Sequence, residues 1–260
     1  MTAPVDESHL AFADRLADAA GAVARRYFRR RIAVDDKDDA SPVTIADREA
    51  EAAMRALIEE RFPDHGIFGE EHGRVRADAD YVWVLDPIDG TKSFICGAPL
   101  FGTLIALTWR GHPVLGVIDQ PIARERWVGA EGQSSTFNGA AARTRRRAEL
   151  REATLFCTTP DMFAGADAEA FQRLKTAVKL TRYGMDCYAY GLLASGFVDL
   201  VVESGLKPYD YCALVPVIAG AGGVMTDWQG GELGIGSDGR VVACGDPALA
   251  ADARARLAGS

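Results

Sequence analysis

The chain is 260 residues long, with 48% hydrophobic and 25% charged residues, proportions ordinary for a globular protein and unlike those of disordered or fibrous chains. A formal net charge of -8 argues against sequence-independent nucleic-acid binding and means that an anionic substrate has to meet a cation at its site. No basic leader with an apolar core opens the chain, and no run approaches about 18 apolar residues, so neither export nor a membrane span is expected. The five cysteines, Cys96, Cys157, Cys187, Cys212 and Cys244, are widely spaced and never in a C-x-x-C pair; reduced core thiols in a cytoplasm fit them better than a disulfide framework or a zinc knuckle.

From His9 to about Arg30, Ala13, Leu16, Ala17, Ala20, Val23, Ala24, Tyr27 and Phe28 recur at helical spacing and predict a long packing helix. Its basic end, Arg25 to Arg31, opposes the helix dipole and is expected to be a solvated face. Residues 35–43 are polar and proline-broken, the composition of an exposed, mobile loop. Thr44 opens a second helix with Ala46, Ala50, Ala53, Met54, Leu57 and Ile58 inward and Phe62-Pro63 at its end; Asp47 has the spacing of a capping-box acid. Gly66 to Gly69 then reads as a short strand running into Glu70-Glu71.

Tyr81 to Leu85 predicts a buried strand that stops at Asp86-Pro87. Asp86 and Asp89 flank a turn fixed by proline, so both carboxylates and the carbonyl of Ile88 can face one point, a cage of hard oxygens suited to Mg²⁺ or a similar dication. Two strands ending in acids, at Glu70 and at Asp86, are how α/β proteins build sites beyond the carboxyl edge of a sheet.

Phe101–Trp109, Val114–Asp119 and Arg126–Gly129 predict an antiparallel meander, and residues 132–151, with Arg143 and Arg145 to Arg147, a solvated linker. This divides the chain into an N-terminal α+β half, 1–147, carrying the acidic motifs and a C-terminal α/β half, 148–260. In the second half we expect strands at Leu155–Thr158, Phe197–Val202 and Val224–Thr226. The expected helices lie around Ala168–Val178 and Cys187–Ser195, from Asp210, and after Asp246-Pro247. Gly234 to Gly239 matches G-x-G-x-x-G but precedes the strand-like Val241-Val242-Ala243, so it is a glycine turn and not a dinucleotide loop. His9, His65, His72 and His112 form no zinc or serine-hydrolase pattern.

Gly69-Glu70-Glu71, Asp86-Pro87-Ile88-Asp89-Gly90-Thr91 and Lys207-Pro208-Tyr209-Asp210, followed by the glycine-rich Ala219 to Gly223, resemble the inositol monophosphatase family. The likeness covers nearly the whole chain, including Ser41 to Asp47; within the family, Lys92 to Leu107 and Asp186 to Gly196 look most like the histidinol-phosphate phosphatases. The resemblance implies an α/β (α+β) fold, the αβαβα layered sandwich of the inositol monophosphatase and fructose-1,6-bisphosphatase type, often a homodimer. It implies Mg²⁺ dependence with roughly two or three ions per site. Glu70, Asp86 and the Ile88 carbonyl are implied for a first metal, and Asp86, Asp89 and Asp210 for a second. Such a gathering of carboxylates would repel itself unless cations intervened.

By the same resemblance, Glu70 and Thr91, with Asp47 behind Thr91, activate the attacking water, and Gly90 and Thr91 offer backbone N–H groups to the phosphate. Lys37 is implied as a lid residue. Glu203, seven residues before Asp210, and Asp186 are candidates for the alcohol part of the substrate. The implied reaction is hydrolysis of L-histidinol phosphate, a step of histidine biosynthesis, whose amine and imidazole suit acidic groups. The same chemistry on inositol phosphate or another small sugar-alcohol phosphate is the alternative. A metal-binding regulatory protein that has lost catalysis is disfavoured because the matched acids and Thr91 are all present, and a nucleotide-binding module because no phosphate loop is.

Overall fold

Alternate residues of the run Tyr81–Leu85 enter different cores. Val82 and Val84 pack with Phe68, Leu104 and Ile118, whereas Trp83 and Leu85 pack on the opposite side with Ile67, Ile105 and Leu107. A strand covered on both faces needs apolar residues at every position, which is why this stretch lacks the alternation of a half-exposed strand. The computed structural model describes residues 5–36, 42–147 and 149–259, and around this strand it builds an αβαβα stack.

In chain order the first half contains α1 (Glu7–Tyr27), the antiparallel pair β1 (Val34–Asp36) and β2 (Pro42–Thr44), and α2 (Ile45–Arg61). Then follow β3 (Gly66–Gly69), β4 (Gly73–Val75), β5 (Tyr81–Asp89) and the short α3 (Thr91–Ile95). The meander β6 (Gly102–Trp109), β7 (His112–Gln120), β8 (Glu125–Ala130), β9 (Thr136–Phe137) and β10 (Ala140–Ala141) completes an eight-stranded sheet ordered β10-β9-β8-β7-β6-β5-β3-β4. The apolar faces of α1 and α2, including Phe12, Leu16, Met54 and Ile58, cover its outer side.

The second half runs β11 (Thr154–Cys157), α4 (Ala166–Ala177), β12 (Leu180–Tyr183), α5 (Tyr188–Ala194), β13 (Leu200–Glu203), α6 (Pro208–Tyr211), α7 (Leu214–Gly220), β14 (Val224–Thr226), β15 (Val241–Cys244) and α8 (Ala248–Ala258). Its five strands are ordered β12-β11-β13-β15-β14. Residues of α5 and α7 fill the space between the two sheets, and α4 and α8 close the far side. Among the described residues no helix is long and apolar enough to cross a membrane.

The fold departs from the sequence reading in several places. β5 does not stop at Asp86 but continues to Asp89, with a shift of pairing to β6 between those two residues; Pro87, which has no N–H to give, sits at that irregular step. Residues 132–151 are not a plain linker, because β9 and β10 extend the first sheet and Arg145 is tied down, its Nε and Nη2 each 2.6 Å from Asp199. β12 was not anticipated. α1 ends at Tyr27, and the helix expected from Asp210 is two short helices, the first starting at Pro208. Residues 37–41 of the expected loop, Lys37 included, lie outside the described residues.

Candidate active site

β3 and β5 are parallel with Gly69 opposite Leu85, so Glu70, just past β3, and Asp86 and Asp89, at the end of β5, come to the same sheet edge. The amide of Glu70 donates to Leu85 O at 3.1 Å, fixing where the first strand lets go. On β5 the Ile88 amide donates to Asp86 Oδ1 at 3.0 Å, and Thr103 Oγ1 donates to Pro87 O at 2.9 Å. These bonds hold the irregular step and turn Asp86 and Asp89 to one side.

Asp210, the third residue of α6, comes from far along the chain to meet them. Carboxylate oxygens of Asp86, Asp89 and Asp210 all lie within 4.8 Å of one another. Asp210 also accepts from the Lys207 amide at 2.6 Å, so the helix-capping role and the cluster coexist. Asp89 Oδ2 accepts from the Cys187 amide at 2.5 Å. Burial first, then the charges of Glu70, Asp89 and Asp210, push the Asp86 carboxyl well above the usual range. Asp89 is raised by burial and then by Asp186 and Asp210. Asp210 is pushed up to about 7, burial outweighing the Lys207 amide. Among the described residues no arginine or lysine forms an ion pair with these three. Clustered oxygens of one sign, Asp86 buried and Asp89 and Asp210 half-buried, with no counter-ion among the described residues, are the donor set that a hard divalent cation takes. Glu70 stands beside the cluster, near enough for its charge to raise both Asp86 and Asp210.

Asp47 sits at 0% exposure near the start of α2. Its Oδ2 accepts from the amide and hydroxyl of Thr44 at 2.9 and 2.6 Å, a capping box, while its Oδ1 lies 3.2 Å from Thr91 Oγ1. Cap and partner of Thr91 are therefore one residue. The Thr91 hydroxyl is also 3.1 Å from Ile88 O; with one proton to give, it donates to one of the two at a time. Gly90 enters α3 at φ 90°, and a Cβ there would stand 2.7 Å from Asp186 Oδ2, so glycine is required by both conformation and space.

Asp186 Oδ2 accepts from Ser93 Oγ at 2.9 Å. It is delivered by three successive left-handed residues, Gly184, Met185 and Asp186, at φ 83°, 93° and 45°. Such a backbone at a bulky Met185 costs about 1–3 kcal/mol and persists only where surrounding structure fixes it. Glu203 is 3% exposed at the end of β13, with Thr158 N and Tyr190 Oη donating to its two oxygens at 2.8 and 2.9 Å. Its carboxyl is raised by burial, against those two bonds.

The structure thus brings Asp86, Asp89 and Asp210 together, pairs Asp47 with Thr91, and sets Asp186 against Gly90. Sequence reasoning missed Ser93, the Cys187 amide and Glu51, which grips the Glu70 loop. None of the three left a signal: Glu51, one helical turn beyond Asp47, has the spacing of an ordinary exposed helix acid.

The inositol monophosphatase family model matches residues 6–258. The chain belongs to that family of metal-dependent phosphatases and is a phosphoric monoester hydrolase. It is 58% identical over 222 residues to the bifunctional phosphatase IMPL2, chloroplastic, of Arabidopsis thaliana, a match covering 85% of this chain but 64% of that protein. It is 36% identical to the histidinol-phosphatase of Chlorobaculum parvum over 90% of this chain and 91% of that one. Among solved structures, an inositol monophosphatase from Zymomonas mobilis superposes with a TM-score of 0.90 at 48% identity, covering 97% of this chain and 98% of the other.

Proposed function

We propose that this enzyme hydrolyses L-histidinol phosphate to L-histidinol and phosphate with Mg²⁺ held by Asp86, Asp89, Asp210, Glu70 and the Ile88 carbonyl. The observation that carries the catalytic part is the cluster of Asp86, Asp89 and Asp210, with carboxylate oxygens within 4.8 Å of one another, two residues from a Thr91 whose hydroxyl pairs with Asp47. When bound, the dications polarise the phosphoryl group and lower the pKa of water. The chain's own groups do the rest. Thr91 donates to Asp47 Oδ1, which leaves its oxygen lone pairs turned to accept from the attacking water, and Glu70 accepts the water's other proton. The backbone N–H groups of Gly90 and Thr91 hold the phosphate oxygens in line.

For the alcohol part, Asp186 supplies a carboxylate to the substrate amine, anchored by Ser93 so that one oxygen is already oriented. Glu203, buried and bonded on both oxygens, acts through the negative potential it adds and not by a contact. Relatives named histidinol-phosphatase, 32% to 36% identical over most of the chain, support this substrate. We place the enzyme in a reducing cytoplasm, in keeping with its free cysteines, and as a homodimer. The deciding experiment compares kcat/KM for L-histidinol phosphate and inositol 1-phosphate on purified protein with saturating Mg²⁺. A clear preference for the histidinol ester is expected; a preference for the inositol ester overturns the substrate assignment.

A further inference from the structure

Three polar residues on α2, Asp47, Glu51 and Arg55, stand at successive four-residue steps and so form one stripe along the helix. Asp47 reaches Thr91. The other two face the turn that carries Glu70. Glu51 is 0% exposed, and its oxygens accept from three donors: the Glu71 amide at 2.7 Å, the His72 amide at 3.0 Å and Arg55 Nε at 2.7 Å. Arg55 in turn donates to Gly73 O, and His72 Nε2 lies 3.2 Å from Arg48 O on the same helix. The last residue of β3 is flush against this carboxylate: a Cβ on Gly69 would lie 2.0 Å from Glu51 Oε1. The turn from Gly69 to Gly73 is thus clamped to α2 on its backbone, leaving the Glu70 side chain as the part that faces the acidic cluster, where it raises Asp86 and Asp210.

We propose that Glu51 is a positioning residue of this active site: its carboxylate, held by Arg55, grips the amides of residues 71 and 72 and so sets where Glu70 meets the cation. The inference rests on the reading of Glu70 as a metal-binding group. Paired with Asp47, it makes α2 the rail on which both sides of the site, the Thr91 hydroxyl and the Glu70 carboxylate, are registered. A buried Glu–Arg pair could serve stability alone, so the test needs a readout that stability does not move.

That readout is Mn²⁺ affinity of the full-length protein, measured by electron paramagnetic resonance without substrate, alongside kcat, KM and the thermal midpoint. Glu51→Gln keeps the volume but turns an amide donor toward protein donors. We expect it to weaken Mn²⁺ binding and lower kcat by ~10–100-fold, the range for residues that orient metal ligands, with KM at saturating Mg²⁺ unchanged. Wild-type Mn²⁺ affinity and kcat with only a lowered midpoint would overturn the proposal. Should Glu51→Gln fail to fold, Gly69→Ala provides the second route. Its added methyl displaces the carboxylate and should weaken Mn²⁺ binding, and Gly69→Ala combined with Glu51→Asp, which draws the carboxylate back, should recover affinity; no recovery counts against the clamp. Glu70→Gln separates the two layers of inference. If it leaves Mn²⁺ affinity intact, the reading of Glu70 falls and the proposal with it; if it weakens binding while Glu51→Gln does not, the proposal alone falls.

Discussion

Asp199 and Asp86 are both buried carboxylates, 1% and 2% exposed, and their surroundings are opposite in charge. Asp199, between β11 and β13, accepts a bidentate fork from Arg145 and the Thr154 amide at 2.7 Å, with Arg147 Nε 3.8 Å away. Asp119 is treated similarly by Arg126, which also takes Asp14 and Asp18. Asp86 accepts from the amide of Ile88 and stands among the charges of Glu70, Asp89 and Asp210, with no arginine or lysine paired to it among the described residues. A buried acid with an internal arginine holds the fold together; a buried acid surrounded by acids holds a place for something from outside.

The largest effect expected from this contrast is on the fold. Arg145→Ala takes the bidentate partner from the buried Asp199 charge, leaving it the Thr154 amide and a more distant Arg147, and should remove about 3 kcal/mol of stability, read by urea unfolding, with kcat of the folded fraction retained. An unchanged midpoint would erase the distinction between the two kinds of acid. On the other side, Asp89→Asn should lower kcat by about 10²–10³-fold, the scale of losing one electrostatic stabiliser of a transition state, while leaving the fold intact. A variant as active as the wild type refutes the proposed metal site.

Smaller effects sharpen the comparison. Asp186→Asn should reduce kcat/KM for L-histidinol phosphate by about tenfold, the worth of a charge-assisted hydrogen bond, with little change for inositol 1-phosphate; equal losses for both esters would show that Asp186 is not selective. The mildest prediction concerns His65, which lies in a stack with Phe62 and Tyr81 and accepts from Trp83 Nε1 at 3.2 Å. Burial first, then the charge of His9, lowers its pKa from 6.5 to about 4. Its neutral form is therefore the one that folding favours. The stability it contributes is complete above about pH 6.5 and is lost as pH falls toward 4. Urea midpoints between those values should decline less in His65→Gln, which keeps an acceptor for the indole; parallel decline in both proteins would assign the acid sensitivity to other groups.

Much of the fold was legible because its central strands are buried on both faces and its helices on one, so helical periodicity located α1 and α2, and unbroken apolar runs located β5 and the meander. β12 escaped because it is an edge strand with Leu180 and Tyr183 largely exposed, so no alternation marks it. The Arg145–Asp199 pair escaped because the partners are 54 residues apart, and a run of arginines reads as solvated until its partner is known. Within the site, the acids of β3 and β5 announced themselves as carboxylates ending apolar strands. The continuation of β5 through Pro87 did not, since a proline in a strand ordinarily signals its end. Glu51 was hidden because an acid one turn beyond a capping residue looks like any helix surface residue until its burial is seen.

The most direct test of the central claim is the thermal midpoint of wild type and Asp86→Asn, each measured with EDTA and with excess Mg²⁺. If Asp86 is an uncompensated charge awaiting a cation, removing that charge raises the midpoint in EDTA. Mg²⁺ then stabilises the wild type, by about 2.7 kcal/mol at a hundredfold excess over Kd, and leaves the variant nearly unmoved. A variant less stable than wild type in EDTA, or one that gains as much from Mg²⁺, would contradict it.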